Sequence, residues 1–207
     1  MQTIQDYILA NRTMANPRFS FVINDSVESD LLQCYKHVVE MFGCVFNPCS
    51  ETLNIIKSAA KWLKSGKRGL LLTGKCGTGK TRLMQAISLY INYKHNRQKL
   101  HIFSADKICR LALSKNEDEL QLFSNIATYE YLGIDDLGTE PQIVKNYGTD
   151  LSPIVDILYN RYNEQLITVL STNDSLETLS KKYGERISDR FSEMYDRIIF
   201  NFKSFRQ

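Results

Sequence analysis

A chain of 207 residues with 43% hydrophobic and 24% charged side chains can bury one globular core with a small appendage, which excludes a disordered tail protein. No stretch approaches the roughly 20 apolar residues of a membrane span, and the opening MQTIQDYILANR lacks a basic start followed by an apolar core, so a cytoplasmic, unprocessed chain with no membrane partner is expected. The net charge of +3 conceals two opposed blocks, 12 basic against 1 acidic side chain over residues 61–110 and 3 against 12 over residues 111–180; a polyanion is the partner that suits the first block.

In chain order, residues 26–42 set Leu31, Leu32, Tyr35, Val38, Val39 and Phe42 at the i, i+3, i+4, i+7 spacing of an amphipathic helix, with Gly43 as its stop. The apolar face of this helix can pack on the chain's own core or be offered to a partner, and the first is favoured. After the break CVFNPC, Ser50 is placed to cap a second helix carrying Leu53, Ile56, Ala60 and Leu63 on one face. Residues 1–65 thus read as an N-terminal helical piece and 66–207 as a larger unit.

From residue 69 short apolar runs alternate with longer amphipathic ones, the pattern of a parallel sheet with helical crossovers. Strands are expected over 69–73, 100–104, 131–134, 166–171 and 197–202. Helices are expected over 80–94, 105–114, 117–128, 151–164 and 184–194. The outcome is an α/β, three-layer core around a five-stranded parallel sheet. The five cysteines, Cys34, Cys44, Cys49, Cys76 and Cys109, are odd in number and lack CxxC pairing, which fits reduced thiols rather than a disulfide framework or a zinc site.

Gly74, Lys75, Cys76, Gly77, Thr78, Gly79, Lys80 and Thr81 satisfy GxxxxGK[ST] between a strand and a helix. Glycines let the backbone curl around a phosphate chain at the positive end of the following helix. Lys80 is expected on the β- and γ-phosphates, and the Thr81 hydroxyl on Mg²⁺. Asp135 and Asp136 close the strand YLGI, where open α/β sheets build their sites. Asp135 is the expected second metal ligand, and Asp136 the residue that orients or deprotonates an attacking water. Asn173, at the end of the next strand, can hold that water or touch the γ-phosphate from the other side. Arg186 and Arg190 lie four apart on one helix face, as surface cations or as an arginine finger for a neighbouring subunit's site.

Taken together, LLLTGKCGTGKT, YLGIDDLG, VLSTN and YGERISDRF resemble the AAA+ ATPases of the DnaC-type helicase-loader and IstB-type transposition-helper group, over about residues 66–207. The resemblance implies a P-loop AAA+ fold, with Gly74–Thr81 as Walker A, Asp135 and Asp136 as Walker B, Asn173 as sensor 1, and Arg190, ahead of Arg186, as a finger acting in trans within an ATP-dependent homo-oligomer. Walker B is Asp-Asp here where many AAA+ proteins have Asp-Glu. The 34 residues after Asn173 leave no room for a C-terminal helical lid, as in DnaC-like members. The connection between the second and third strands has room for two helices; initiator-type relatives use an extra helix there for single-stranded DNA, and Lys107, Arg110 and Lys115 are either the cations available for it or part of a solvated helix face.

The resemblance makes the chain a DNA replication accessory ATPase that binds ATP with Mg²⁺ and single-stranded DNA and serves a replicative helicase. An IstB-like helper of a transposase is the alternative on the same fold, and a switch module with negligible turnover is a third reading. A small P-loop kinase, the fourth, would need a mobile lid bearing phosphate-binding arginines.

Overall fold

The computed structural model describes residues 25–94, 98–146 and 149–201. Two helices come first, α1 (Val27–Met41) and α2 (Ser50–Ser65). Then follow β1 (Gly69–Gly74), α3 (Lys80–Lys94), β2 (His101–Ser104), α4 (Ala105–Ala112), α5 (Glu117–Ile126) and β3 (Tyr131–Leu137). A hairpin of β4 (Val144–Asn146) and β5 (Thr149–Leu151) leads into α6 (Pro153–Asn163), β6 (Ile167–Thr172), α7 (Leu176–Tyr183), α8 (Glu185–Met194) and β7 (Tyr195–Phe200).

Five strands pair in the order β2-β3-β6-β1-β7, all parallel. The chain does not place β1 beside β3: β6 inserts between them, so its end lies between the phosphate-loop strand and the strand of the two acids. The expected sheet is the observed one. The boundaries differ, because β3 runs on to Leu137 and the last strand spans Tyr195–Phe200; Phe202, the expected end of that strand, lies outside the described residues.

Alternation along β1 sends Leu70 and Leu72 to one face and Leu71 to the other. The first face is covered by α1, α2 and α3, whose buried residues include Leu31, Tyr35, Ile56, Trp62, Leu83 and Ile87. The second is covered by α4 to α8, through Ile108, Ile126, Ile157, Leu179 and Phe191. The apolar stripe of α1 therefore packs on the chain's own core, and each fully buried Leu or Ile contributes about 1.5–3 kcal/mol relative to exposure. Among the described residues no helix is long and apolar enough to cross a membrane.

Helix α6 carries a feature that apolar patterning hides. Arg161 is fully buried and directs its donors to Thr168 Oγ1 at 2.8 Å, the Tyr129 carbonyl at 2.7 Å and the Ile167 carbonyl at 2.6 Å. Burial lowers its pKa to about 10, still a cation at neutral pH. The guanidinium ties α6 to the entrances of β3 and β6, the two strands that carry the acids and Asn173.

Lys94 Nζ lies 2.9 Å from Asp30 and locks the end of α3 to α1. Lys94 and the Ser26 hydroxyl hold the Asp30 carboxyl below its ordinary value, and Asp30 holds Lys94 above its own. The pair's contribution to stability is thus present above the ordinary carboxylate pKa of 3.8 and lost as pH falls through the lower folded value. At the alkaline end it is present below the ordinary lysine value of 10.5 and lost as pH rises through the higher folded one. Asp30→Asn is expected to lower the melting temperature near neutral pH, with a difference from the parent chain that shrinks below about pH 4; thermal melts across pH measure it.

Candidate nucleotide site

The site is assembled where β1, β6 and β3 end side by side. Between β1 and α3 the loop turns on Gly74, Gly77 and Gly79, with φ of 145°, 78° and 98°, values that side chains with a Cβ rarely adopt. At Gly74 a Cβ would also stand 2.5 Å from the Phe200 carbonyl oxygen, because the last residues of β1 and β7 are paired. The buried Thr78 hydroxyl donates to the Lys75 carbonyl at 2.8 Å and pins the loop.

Lys80 opens α3 and is 5% exposed. Its ammonium donates to the carbonyls of Gly74 at 2.7 Å and Lys75 at 2.8 Å, and to Asn173 Oδ1 at 2.8 Å. One residue on, the Thr81 hydroxyl donates to Asp135 at 2.9 Å. Asp135 also accepts a hydrogen bond from the Ser171 hydroxyl, whose oxygen in turn accepts the Asp136 backbone N–H at 3.0 Å. The hydroxyl and the carboxylate expected to share Mg²⁺ thus meet. A hard oxygen pair of this kind, with room for water, is the donor set that Mg²⁺ takes.

The parallel register between β3 and β6 shifts between Ile134 and Leu137. Asp136 sits in that irregularity at φ 54°, a left-handed conformation that Asp tolerates better than most residues. The local turn separates the two acids, so that Asp135 faces Thr81 while Asp136 lines the cleft with Asn173, Lys80 and Thr81. This cleft has a volume of about 320 Å³.

Phe42, Arg82, Gln85 and Thr139 also line the cleft, and no motif in the sequence marks them. The Arg82 guanidinium lies 5.7 Å from the Phe42 ring centroid and 3.3 Å from Cys44 Sγ. It also borders a second recess of about 170 Å³, with walls that include Tyr35, Val39, Val45 and Phe46. A helix-end Phe and a cation in the first turn after GKT were the available signal; periodicity places Phe42 on the apolar face of α1, whereas the structure exposes it beside the cleft.

Beyond the acids the chain is braced by Glu140, which is buried and accepts the Gly138 N–H at 2.9 Å and the Tyr183 hydroxyl, with Lys182 Nζ at 3.4 Å. Lys182 Nζ also donates to the Gly138 carbonyl at 2.6 Å. Burial and the neighbouring carboxylate push the Tyr183 hydroxyl well above the ordinary tyrosine range, so it stays a donor. This knot joins the loop after β3 to the end of α7, and α8 starts two residues later.

Arg186 is exposed on α8. Arg190 packs against α6, its guanidinium carbon 4.2 Å from the centroids of both Tyr159 and Tyr162. Neither arginine lines the cleft. On α4, Lys107 lies over the Phe103 ring at 5.6 Å and Arg110 pairs with Asp106, while Lys115 is exposed just ahead of the acidic first turn of α5. The structure sets these three cations apart from the cleft.

The model of the bacterial DnaA ATPase domain family matches residues 45–194. No curated protein sequence matches the chain. Among solved structures, the DnaC helicase loader aligns with a TM-score of 0.61 and 22% identity, covering 75% of this chain and 94% of that one. DnaI aligns with a TM-score of 0.58 and 24% identity, covering 76% and 88%. The replication initiator DnaA bound to AMPPCP and single-stranded DNA aligns at 0.56 and 16%, covering 76% and 49%, so the chain spans about half of that protein. At these identities the likeness is one of fold, an AAA+ P-loop core. The family match spans most of the chain, including its phosphate loop and both acids, and the chain belongs to the bacterial DnaA ATPase domain family.

Proposed function

We propose that this chain is a cytoplasmic, replication-associated ATPase of the helicase-loader type, which binds Mg²⁺-ATP, assembles into a homo-oligomer, holds single-stranded DNA and serves a replicative helicase. The observation that carries the reading is the pairing of Lys80 with Asn173 at 2.8 Å and of Thr81 with Asp135 at 2.9 Å, at a cleft that Lys80, Thr81 and Asn173 line. It is supported by the helicase loader and the DNA-bound initiator among the structures of like fold.

In this reading Gly74 to Thr81 wrap the triphosphate, and Lys80 exchanges its loop carbonyls for the β- and γ-phosphate oxygens. Thr81 and Asp135 would hold Mg²⁺, which would supply positive charge against the phosphates. Asp136 orients the attacking water and takes its proton, and Asn173 holds the same water or the γ-phosphate from the side of β6. The recess bordered by Arg82, Tyr35 and Phe46 offers a planar base apolar walls and a cation. Arg190 of an adjoining copy completes the charge balance in the transition state. Lys107, Arg110 and Lys115 are the proposed contacts to the DNA backbone.

The test is the mass of the protein in solution with Mg²⁺ and a non-hydrolysable ATP analogue, with and without a single-stranded oligonucleotide. A nucleotide-dependent oligomer that retains the strand is expected. Replacing Lys107 and Arg110 with Gln is expected to weaken retention and flatten its salt dependence, by about one unit of slope for each phosphate no longer neutralised. A nucleotide-bound monomer indifferent to DNA overturns the loader reading.

A further inference from the structure

Two tyrosines stand three apart on α6, where i and i+3 side chains share a face, and between their rings lies a cation from α8. The Arg190 guanidinium carbon is 4.2 Å from each ring centroid, well inside the range at which a ring face attracts a cation. The Tyr162 hydroxyl donates to Glu193 at 2.7 Å. Glu193 is three residues beyond Arg190 on the same helix, so α8 fixes one wall of the slot as well as its occupant.

Both rings lie against the guanidinium, but one of its edge nitrogens has no partner. Arg190 Nη1 is shielded from water and has no acceptor among the described residues, and a shielded donor without an acceptor is destabilising. Arg161, on the same helix as the tyrosines, shows the contrast: its donors are taken up by three carbonyls and a hydroxyl. The slot thus holds a cation by its faces while leaving one of its donors without an acceptor, which weakens the hold of the withdrawn state.

We infer that Tyr159 and Tyr162 are positioning residues that keep Arg190 withdrawn within its own subunit, and that an adjoining copy's nucleotide phosphates draw it out on assembly. This inference rests on the proposed role of Arg190 as a finger acting in trans. The clamp biases a two-state side chain, and assembly offsets that bias through a charge-assisted contact present in the extended state alone.

The experiment compares ATP turnover as a function of protein concentration for the parent chain, Tyr159→Leu/Tyr162→Leu, Tyr159→Phe and Arg190→Ala, with melting curves alongside. In parallel, the arginine Nε resonance of Arg190, displaced upfield by two stacked rings, is followed by NMR as Mg²⁺ and a non-hydrolysable ATP analogue are added. Removing both rings is expected to lower the concentration of half-maximal turnover by about tenfold, the size of two modest cation–π contacts. Tyr159→Phe, which keeps the ring face, is expected to restore the parent behaviour. The Nε resonance of the parent chain is expected to move downfield on assembly.

A double variant with the parent's concentration dependence overturns the clamp. An Nε resonance that starts without an upfield displacement, or stays put in the oligomer, overturns it even where the double variant fails to fold. If Arg190→Ala retains full turnover, the finger assignment fails first, and the inference falls with it for a different reason.

Discussion

Lys80→Ala is expected to abolish nucleotide binding. Lys80 is 5% exposed and its ammonium is held by two loop carbonyls and Asn173, so it is preorganised where the phosphate chain must lie. Each charge-assisted hydrogen bond it would give to phosphate contributes about 1.5–3 kcal/mol. Losing two such bonds lowers affinity by about 10²–10⁴-fold, below detection for an ordinary micromolar site. Arg82, the other cation lining the cleft, does not replace it, because its guanidinium is turned toward Phe42 and Cys44. Titration of a fluorescent ATP analogue, with a melting curve as control for folding, measures the loss. Unchanged affinity in a folded variant removes the site from this cleft.

The phosphate loop was legible because GxxxxGK[ST] is a local device: its glycines, lysine and hydroxyl act within eight residues of one another and between elements whose periodicities differ. The central strands were legible for the same reason, as runs such as Leu70 to Leu72 and Val169 to Leu170 are apolar on both faces and short. What the sequence hid was structure without a repeat. Helix α7 buries Leu179 and Tyr183, too few for a periodic signal, and is started by Ser175, whose hydroxyl caps the Thr178 N–H. Strands β4 and β5 are three residues each, too short to show alternation.

The site's remaining parts are long-range and polar. Glu140, Lys182 and Tyr183 look like ordinary surface residues until α7 folds back on the loop after β3, where together they satisfy one another. Arg161 is charged at a position where helix patterning favours an apolar residue, and its burial is compensated by carbonyls that lie more than 30 residues earlier. The left-handed turn at Asp136 depends on a register shift against β6, so the different directions of two adjacent acids follow from pairing between strands.

Arg190→Ala is expected to leave nucleotide affinity unchanged and to reduce turnover in the assembled state by about 10³-fold, the lower end of what an arginine finger supplies. Affinity is spared because Arg190 does not line its own chain's cleft, and lies instead between Tyr159 and Tyr162. Stability falls only modestly, since two cation–π contacts are worth about 0.5–2 kcal/mol each and the buried donor without an acceptor is removed with them. The measurements are ATP affinity, turnover against protein concentration, and a melting curve for each variant. Arg186→Ala, exposed on the preceding turn of α8, is the internal comparison: a small change there alongside a large one at Arg190 assigns the finger to Arg190, and the reverse reassigns it. Turnover in the parent chain must also rise more steeply than its concentration, because a cation supplied by one copy to another's γ-phosphate acts only in contact. A monomer that hydrolyses as fast as the oligomer overturns the trans mechanism, whichever arginine is removed.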